Sequence, residues 1–410
     1  MTAKQILTRL KIPVTARGWH SLTSMFFCLI FLFLFVTGSL SVFGKEIDWV
    51  MNSAQRVAPT ETGKLPMGRS FDAVRQAIPD LEVVSIARMP GARFADQVVL
   101  RGEAGPNDLS LAFVDPYRGE IQGRGSYYTF WFALRELHRS LSSDSEKIRI
   151  AVLAMSIPLG VILLSSLLLY RRFYAGFFRL PRRGSSYRAY IGDLHRLIGV
   201  WCLIFIVPVV LTSANLLLEK FNLFPGYYPD FRVESGVIPP LPESFDGAAL
   251  DRATNTASEV LPGLAVTDVS LPVMSGMPVV VHGDLTAAFV RPVANAVYID
   301  PRDGAVRGAH RGENIAKRLR LFEATRTLHF GTFGGLPTRI LWLVFGLSMS
   351  VLAGLGAMIY AERLVMMSQK TGENSGRGRL SHIWTGMGAG RWIGLIAVLA
   401  AIGLTAQRLI

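Results

Sequence analysis

Five stretches of this chain are apolar enough, and about long enough, to cross roughly 30 Å of hydrocarbon, and they limit its fold more than any other feature. They lie near Leu22–Phe43, Ile148–Tyr170, Leu197–Leu218, Leu336–Tyr360 and Trp392–Leu409. The last is short and interrupted by glycine. Half of the 410 residues are apolar, which is high for a soluble protein of this size. The first stretch is longer than a signal-peptide core and no A-x-A-like site follows it, so it reads as a retained helix.

Lysine and arginine give the expected orientation. Lys4, Arg9, Lys11 and Arg17 precede the first stretch with no acid among residues 1–20. The segment RRFYAGFFRLPRRGSSYR after the second carries six Arg. Arg363, Lys370, Arg377, Arg379 and Arg391 precede the fifth, against Glu362 and Glu373. These segments are expected to face the cytoplasm. The loops at about 45–147 and 219–335 are nearly balanced in charge and are expected to face the periplasm. The net charge of +13 is then a topology signal of a bacterial inner-membrane protein with a cytoplasmic N-terminus, and gives no reason to expect a nucleic-acid partner. Cys28 and Cys202 both fall inside apolar stretches and read as packing residues.

The two halves resemble each other. Thr37-Gly38 lies seventeen residues after His20, and Thr212-Ser213 lies at the same distance after His195. Ser70-Phe71-Asp72 matches Ser244-Phe245-Asp246. Asp115–Gly123 and Asp300–Gly308 both fit D-P-x-x-G-x-[IV]-x-G. Ala133–His138 and Ala324–His329 share A-x-R-x-L-H. The matches keep their order at offsets of about 175 to 190 residues. A duplicated parallel repeat follows, its axis along the membrane normal, with the fifth span added outside it.

The expected fold is therefore a membrane all-α bundle of about five transmembrane helices with two small periplasmic α+β modules. Its parts are the N-terminus and first span (1–44), the first module with an interfacial helix (45–147), the second span (148–170), a basic cytoplasmic loop (171–194), the third span (195–218), the second module (219–335), the fourth span (336–360), a cytoplasmic loop (361–391) and the fifth span (392–410). In the first module Ser70 is expected to cap a helix bearing Phe71, Val74 and Ile78. Strands are expected at Leu81–Ala87, Gln97–Arg101 and Leu109–Val114. In the second module they are expected at Val266–Leu271, Val279–His282, Ala287–Arg291 and Ala296–Ile299. Each D-P-x-x-G element should turn on its proline and glycine. The aromatic, proline-rich stretch between Phe221 and Glu243 reads as irregular. Ser143 and Glu146 read as a capping box.

Of seven histidines, five sit at ends of membrane elements. His20, His195 and His382 are expected at cytoplasmic ends, His138 and His329 on the periplasmic side. A bis-imidazole haem needs two neutral histidines facing across an apolar slot. A parallel repeat brings equivalent residues together near its axis, so His20 with His195 and His138 with His329 are the candidate pairs. Arg135 and Arg326 stand three residues before their histidines and could neutralise haem propionates or simply snorkel. His382 has no repeat partner and stands as an alternative ligand or a proton or donor site. His282 and His310 read as surface or turn residues. Thr37 and Thr212 are expected to return a hydroxyl bond to their own helices rather than touch a haem. A zinc or non-haem iron site is disfavoured because the histidines divide between two membrane faces.

The motifs RGWHSL, VDPYRGEI, LHRSL, DLHRLIG, YIDPRDGAV and LHFG resemble the PepSY-associated transmembrane family over roughly residues 10–360. Within it the chain is most similar to siderophore-iron reductases of the FoxB type. That resemblance implies two haem b groups on His20, His195, His138 and His329, and PepSY-like modules. It also implies reduction of ferric siderophore complexes on the periplasmic side, releasing ferrous iron. The electron donor is left open between a cytoplasmic partner and a quinol. Tyr127–Trp131 and Phe224–Tyr228 are equally substrate rim or membrane anchors. The alternatives are a quinol-linked b-type cytochrome feeding another periplasmic acceptor, and a haem-free PepSY binding or regulatory protein.

Overall fold

The structure is a computed structural model that describes residues 15–184, 186–224, 226–229, 231, 241–371 and 378–409. Lys4, Arg9, Lys11, Glu373 and Arg377 of the orientation pattern lie outside the described residues, as do Pro225, Asp230 and 232–240 of the proline-rich stretch. In chain order the helices are α1 (Ala16–Phe26), α2 (Cys28–Ser41), α3 (Gly44–Met51), α4 (Met67–Ala77), α5 (Phe130–Ser140), α6 (Glu146–Ala154), α7 (Ser156–Leu169), α8 (Tyr187–Trp201), α9 (Leu203–Lys220), α10 (Gly247–Val260), α11 (Lys317–Phe330), α12 (Gly335–Thr371), α13 (Arg379–Gly386) and α14 (Gly390–Leu409). The strands are β1 (Glu82–Ala87), β2 (Asp96–Arg101), β3 (Leu109–Val114), β4 (Ile121–Ser126), β5 (Ala265–Ser270), β6 (Val279–Asp284), β7 (Ala296–Ile299) and β8 (Val306–His310). Two compact units result: Gly44–Phe132 with Phe224–Thr327 form a sheet unit, and the remaining described residues form a helical unit.

The helical unit follows from the apolar stretches. Glu146–Leu169, Leu203–Lys220, Gly335–Met367 and Gly390–Leu409 are each long and apolar enough to cross a membrane. Ala16–Phe26 and Cys28–Ser41 make a fifth span if the pair, bent by 67° at Phe27, is counted as one. In hydrocarbon such segments must satisfy their own backbone groups, which a helix does. The third expected stretch began at Leu197. Instead Leu197 belongs to α8, which ends at Trp201, and α9 restarts at Leu203 after Cys202. The core between spans gathers Phe31, Leu159, Leu163, Cys202, Phe205, Ile206, Trp342 and Met349. Glycine seats α14 against the first span. A Cβ at Gly390 would collide with the Phe26 carbonyl at the bend, and one at Gly394 would lie 2.8 Å from Leu29 Cβ. Glu146 is not part of a capping box with Ser143. The N-cap is Ser145, whose side chain makes no capping bond. Ser143 Oγ instead accepts from Ser145 N, and Glu146 is paired with Arg149 and Lys220.

The sheet unit corrects the expectation of two separate modules. All eight strands form one antiparallel sheet, in the order β4-β3-β2-β1-β5-β6-β7-β8. The join is β1 with β5, through Ser85–Ser270, Ile86–Val269 and Ala87–Asp268. One face of alternating residues, including Ile86, Val98, Val269 and Val281, is fully buried with Phe71, Val74 and Leu250 of α4 and α10. Each such side chain contributes about 1.5–3 kcal/mol over remaining exposed. The expected strand at Ala287–Arg291 does not form, whereas β4 and β8 were not expected. Both are edge strands, and IQGRGS and VRGAH lack the alternating apolar residues that mark a half-buried strand. Gly119 and Gly304 take φ of +72° in the β3–β4 and β7–β8 turns, a conformation that glycine enters without penalty.

Ser70 does not cap its helix. Pro66 precedes the first turn of α4, and the Ser70 hydroxyl donates to buried Asp96 at 3.2 Å. Nor do the two Ser-Phe-Asp motifs occupy equivalent places, because Phe71 lies inside α4 and Phe245 lies before α10. The reciprocal pairing is of other residues. Gly68 N donates to Asp251 at 2.8 Å, and Gly247 N donates to Asp72 at 2.6 Å. A Cβ on either glycine would strike the other's carbonyl. Gly68→Ala is therefore expected to destabilise the protein by about 1–3 kcal/mol through overpacking. The check is a lowered thermal midpoint, with Gly192→Ala, which opens into free space, left near wild type.

Candidate functional site

Two histidine pairs form in the helical unit. His20 on α1 and His195 on α8 have ring centroids 6.4 Å apart with planes at 87°. His138 on α5 and His329 on α11 have centroids 6.2 Å apart with planes at 42°. Two imidazoles bound on opposite sides of one metal, each nitrogen about 2 Å from it, hold their centroids roughly 6 Å apart.

Each imidazole is backed by a different span. His138 Nδ1 donates to the Leu34 carbonyl of α2 at 3.0 Å. His20 Nδ1 donates to the Ile162 carbonyl of α7 at 3.3 Å, with Ser165 Oγ also 3.3 Å away. His329 Nδ1 lies 3.1 Å from Thr212 Oγ1 on α9. His195 packs on α12, where a Cβ at Gly356 would come within 3.3 Å of its Cε1 and the Leu352 main chain lies beside its ring. A main-chain carbonyl can only accept, so His20 and His138 carry their proton on Nδ1 and keep the Nε2 lone pair free. A neutral imidazole of that tautomer is the form that ligates a metal through Nε2.

Gly38 makes room for His138. A Cβ there would lie 2.6 Å from His138 Cε1 and 2.8 Å from Nδ1. The Thr-Gly dipeptide noted in the sequence thus matters through its glycine. Thr37 donates to the Phe33 carbonyl of its own helix at 2.8 Å, as expected. Asp193, two residues before His195, is buried and ion-paired with Arg182 at 2.8 Å and Arg196 at 3.0 Å. Hydrogen bonding from Arg182 holds its carboxyl down at about 2, so this anchor of α8 stays charged.

The other candidates fall elsewhere. His382 is buried on α13, and among the described residues its ring contacts neither His20 nor His195. Arg326 lies 3.4 Å over the Phe322 ring and donates to the Phe322 carbonyl at 2.9 Å, while Arg135 is half-buried on α5. His282 and His310 are not turn residues. They lie on β6 and β8, each directly opposite Ala296. His310 packs between Tyr228 and Tyr298, and burial lowers its imidazole. Burial lowers His282 as well, to about 4. Among the described residues no three His, Cys, Asp or Glu side chains gather as a metal site.

Residues 17–363 match the PepSY-associated TM region, and since that covers most of the chain, the protein belongs to the PepSY-associated transmembrane family. A search of curated proteins gave no match. The family and the apolar helices together make this a multi-pass membrane protein.

Gly38→Ala is expected to destabilise by about 1–3 kcal/mol through overpacking against His138. In a His138→Ala background that penalty should largely vanish, because the ring it strikes is gone. Thermal unfolding of the two single variants and the double variant in detergent checks this.

Proposed function

We propose that this protein is a di-haem b-type electron carrier of a bacterial inner membrane, with one haem held by His20 and His195 and the other by His138 and His329. The observation that carries the proposal is the 6.4 Å and 6.2 Å spacing of two imidazole pairs within one apolar helical unit. The donor set fits. Carbonyls hold His20 and His138 in the tautomer with a free Nε2, and the surrounding Phe, Leu and Ile side chains suit an apolar macrocycle. A haem held by these imidazoles would supply one-electron redox chemistry, its potential tuned by burial and by the histidines that hold it. The histidines fix the depth of each site, the spans exclude water from it, and Gly38 and Gly356 set how closely each ring backs onto its helix.

A duplicated origin for the two halves is supported by the reciprocal Gly68 and Gly247 contacts and by the matched Gly119 and Gly304 turns. The basic loops support a cytoplasmic N-terminus, with residues 45–147 and 219–335 facing the periplasm. We further read the protein as delivering electrons, from a quinol or a cytoplasmic donor, to ferric siderophore complexes. The motif resemblance to FoxB-type reductases supports that substrate. Reduction would release the metal because ferrous iron binds hard oxygen donors more weakly than ferric iron does.

A pyridine haemochrome count on wild type and the four His→Ala variants tests the ligands. Two haems per chain are expected in wild type and one in each of His20→Ala, His138→Ala, His195→Ala and His329→Ala. Full occupancy in all four variants, or a wild type with no Soret band after haem-sufficient expression, would sink the proposal. Rapid oxidation of the dithionite-reduced protein by a ferric siderophore is expected, and its absence would remove the substrate assignment.

A further inference from the structure

Thr212 lies one turn after Pro208 on α9. Its hydroxyl is 2.7 Å from the Pro208 carbonyl, 3.2 Å from the Val209 carbonyl and 3.1 Å from His329 Nδ1. A hydroxyl has one proton and two lone pairs, and both carbonyls can only accept. When the proton goes to the helix, best to Pro208 at the shortest distance, a lone pair faces His329 and Nδ1 is the donor in that contact.

We propose that Thr212 is the positioning residue of His329, accepting from Nδ1–H so that the Nε2 lone pair is presented toward His138. The inference rests on the reading of this pair as haem ligands. It gives Thr212 a role beyond the bond to its own helix, since the same oxygen serves both partners.

The two halves solve one problem with different chemistry. Thr37 and Thr212 stand seventeen residues after His20 and His195. Among the described residues Thr37 bonds only within its helix, at Phe33 and Leu34, and the imidazole of its side of the site, His138, reaches the Leu34 carbonyl beside Gly38. Where the first half has Gly38 the second has Ser213, and there the imidazole is met by the threonine hydroxyl instead of a main-chain carbonyl. Only the second arrangement depends on a side chain, so only it can be removed by substitution without disturbing the backbone.

Thr212→Val keeps the branched shape and removes the acceptor. The readouts are the rate at which purified full-length protein yields haem to excess apomyoglobin, and the midpoint potentials of the two haems. One of the two haems is expected to leave about 10–100-fold faster in Thr212→Val, with its midpoint shifted, as for other partners that orient a ligating histidine. The second haem should behave as in wild type, and Thr212→Ser should restore both readouts. If Thr212→Val does not fold, Thr212→Ala removes the hydroxyl without the added methyl and is read the same way. Wild-type behaviour of the hydroxyl-free variant on both readouts would overturn the inference, as would failure of Thr212→Ser to restore them. A wild-type protein without haem would instead overturn the ligand assignment itself and this inference with it.

Discussion

An imidazole N–H buried among apolar helices must be answered, because an unpaired buried donor costs about 1–3 kcal/mol. The helical unit answers His138 with the Leu34 carbonyl and His20 with the Ile162 carbonyl, and it sets His329 against the Thr212 hydroxyl. For His20 and His138 those bonds decide which nitrogen keeps a free lone pair. Each of the two rings stands beside its counterpart from the other half, His195 and His329.

The acceptors come from helices that would ordinarily have no carbonyl to offer. A helical carbonyl is already occupied by the amide four residues on, and it is shielded by side chains. Gly38 removes the shield at Leu34, so that the ring can lie against the main chain. The same device recurs where helices meet: Gly390 sits at the Phe26 carbonyl, and Gly68 and Gly247 sit at one another's carbonyls. Glycine here sets distances between backbones rather than permitting unusual dihedrals, as small residues commonly do between membrane helices.

Much of the framework was readable in advance. Four of the five apolar stretches fall on membrane-length helices and the first falls on the bent pair α1 and α2, because length and hydropathy are local properties of the chain whereas a bend is not. Strands β3 and β7 were legible from their apolar runs, while β4 and β8 were not, since edge strands need no buried face to exist. The four histidines stand out by their spacing in the two halves, and so does the Thr-Gly step, but spacing does not show that its glycine is what meets His138. Nothing in the spacing of Ser70 or Ser143 showed that each would bond elsewhere than at a helix start, because a cap depends on where the helix begins in three dimensions.

By itself, the amino-acid sequence determined where the apolar, membrane-length segments lie, the alternation that makes most of the strands, and the residue types able to ligate a metal. These depend on composition and period within a few turns of chain. Tertiary structure alone decided that residues 44–132 and 224–327 share one sheet through β1 and β5, and that His138 meets Leu34 while His329 meets Thr212. The reason is physical: hydrogen-bond acceptors and close backbone approaches between segments a hundred or more residues apart are set by packing, and packing leaves no periodic trace along the chain.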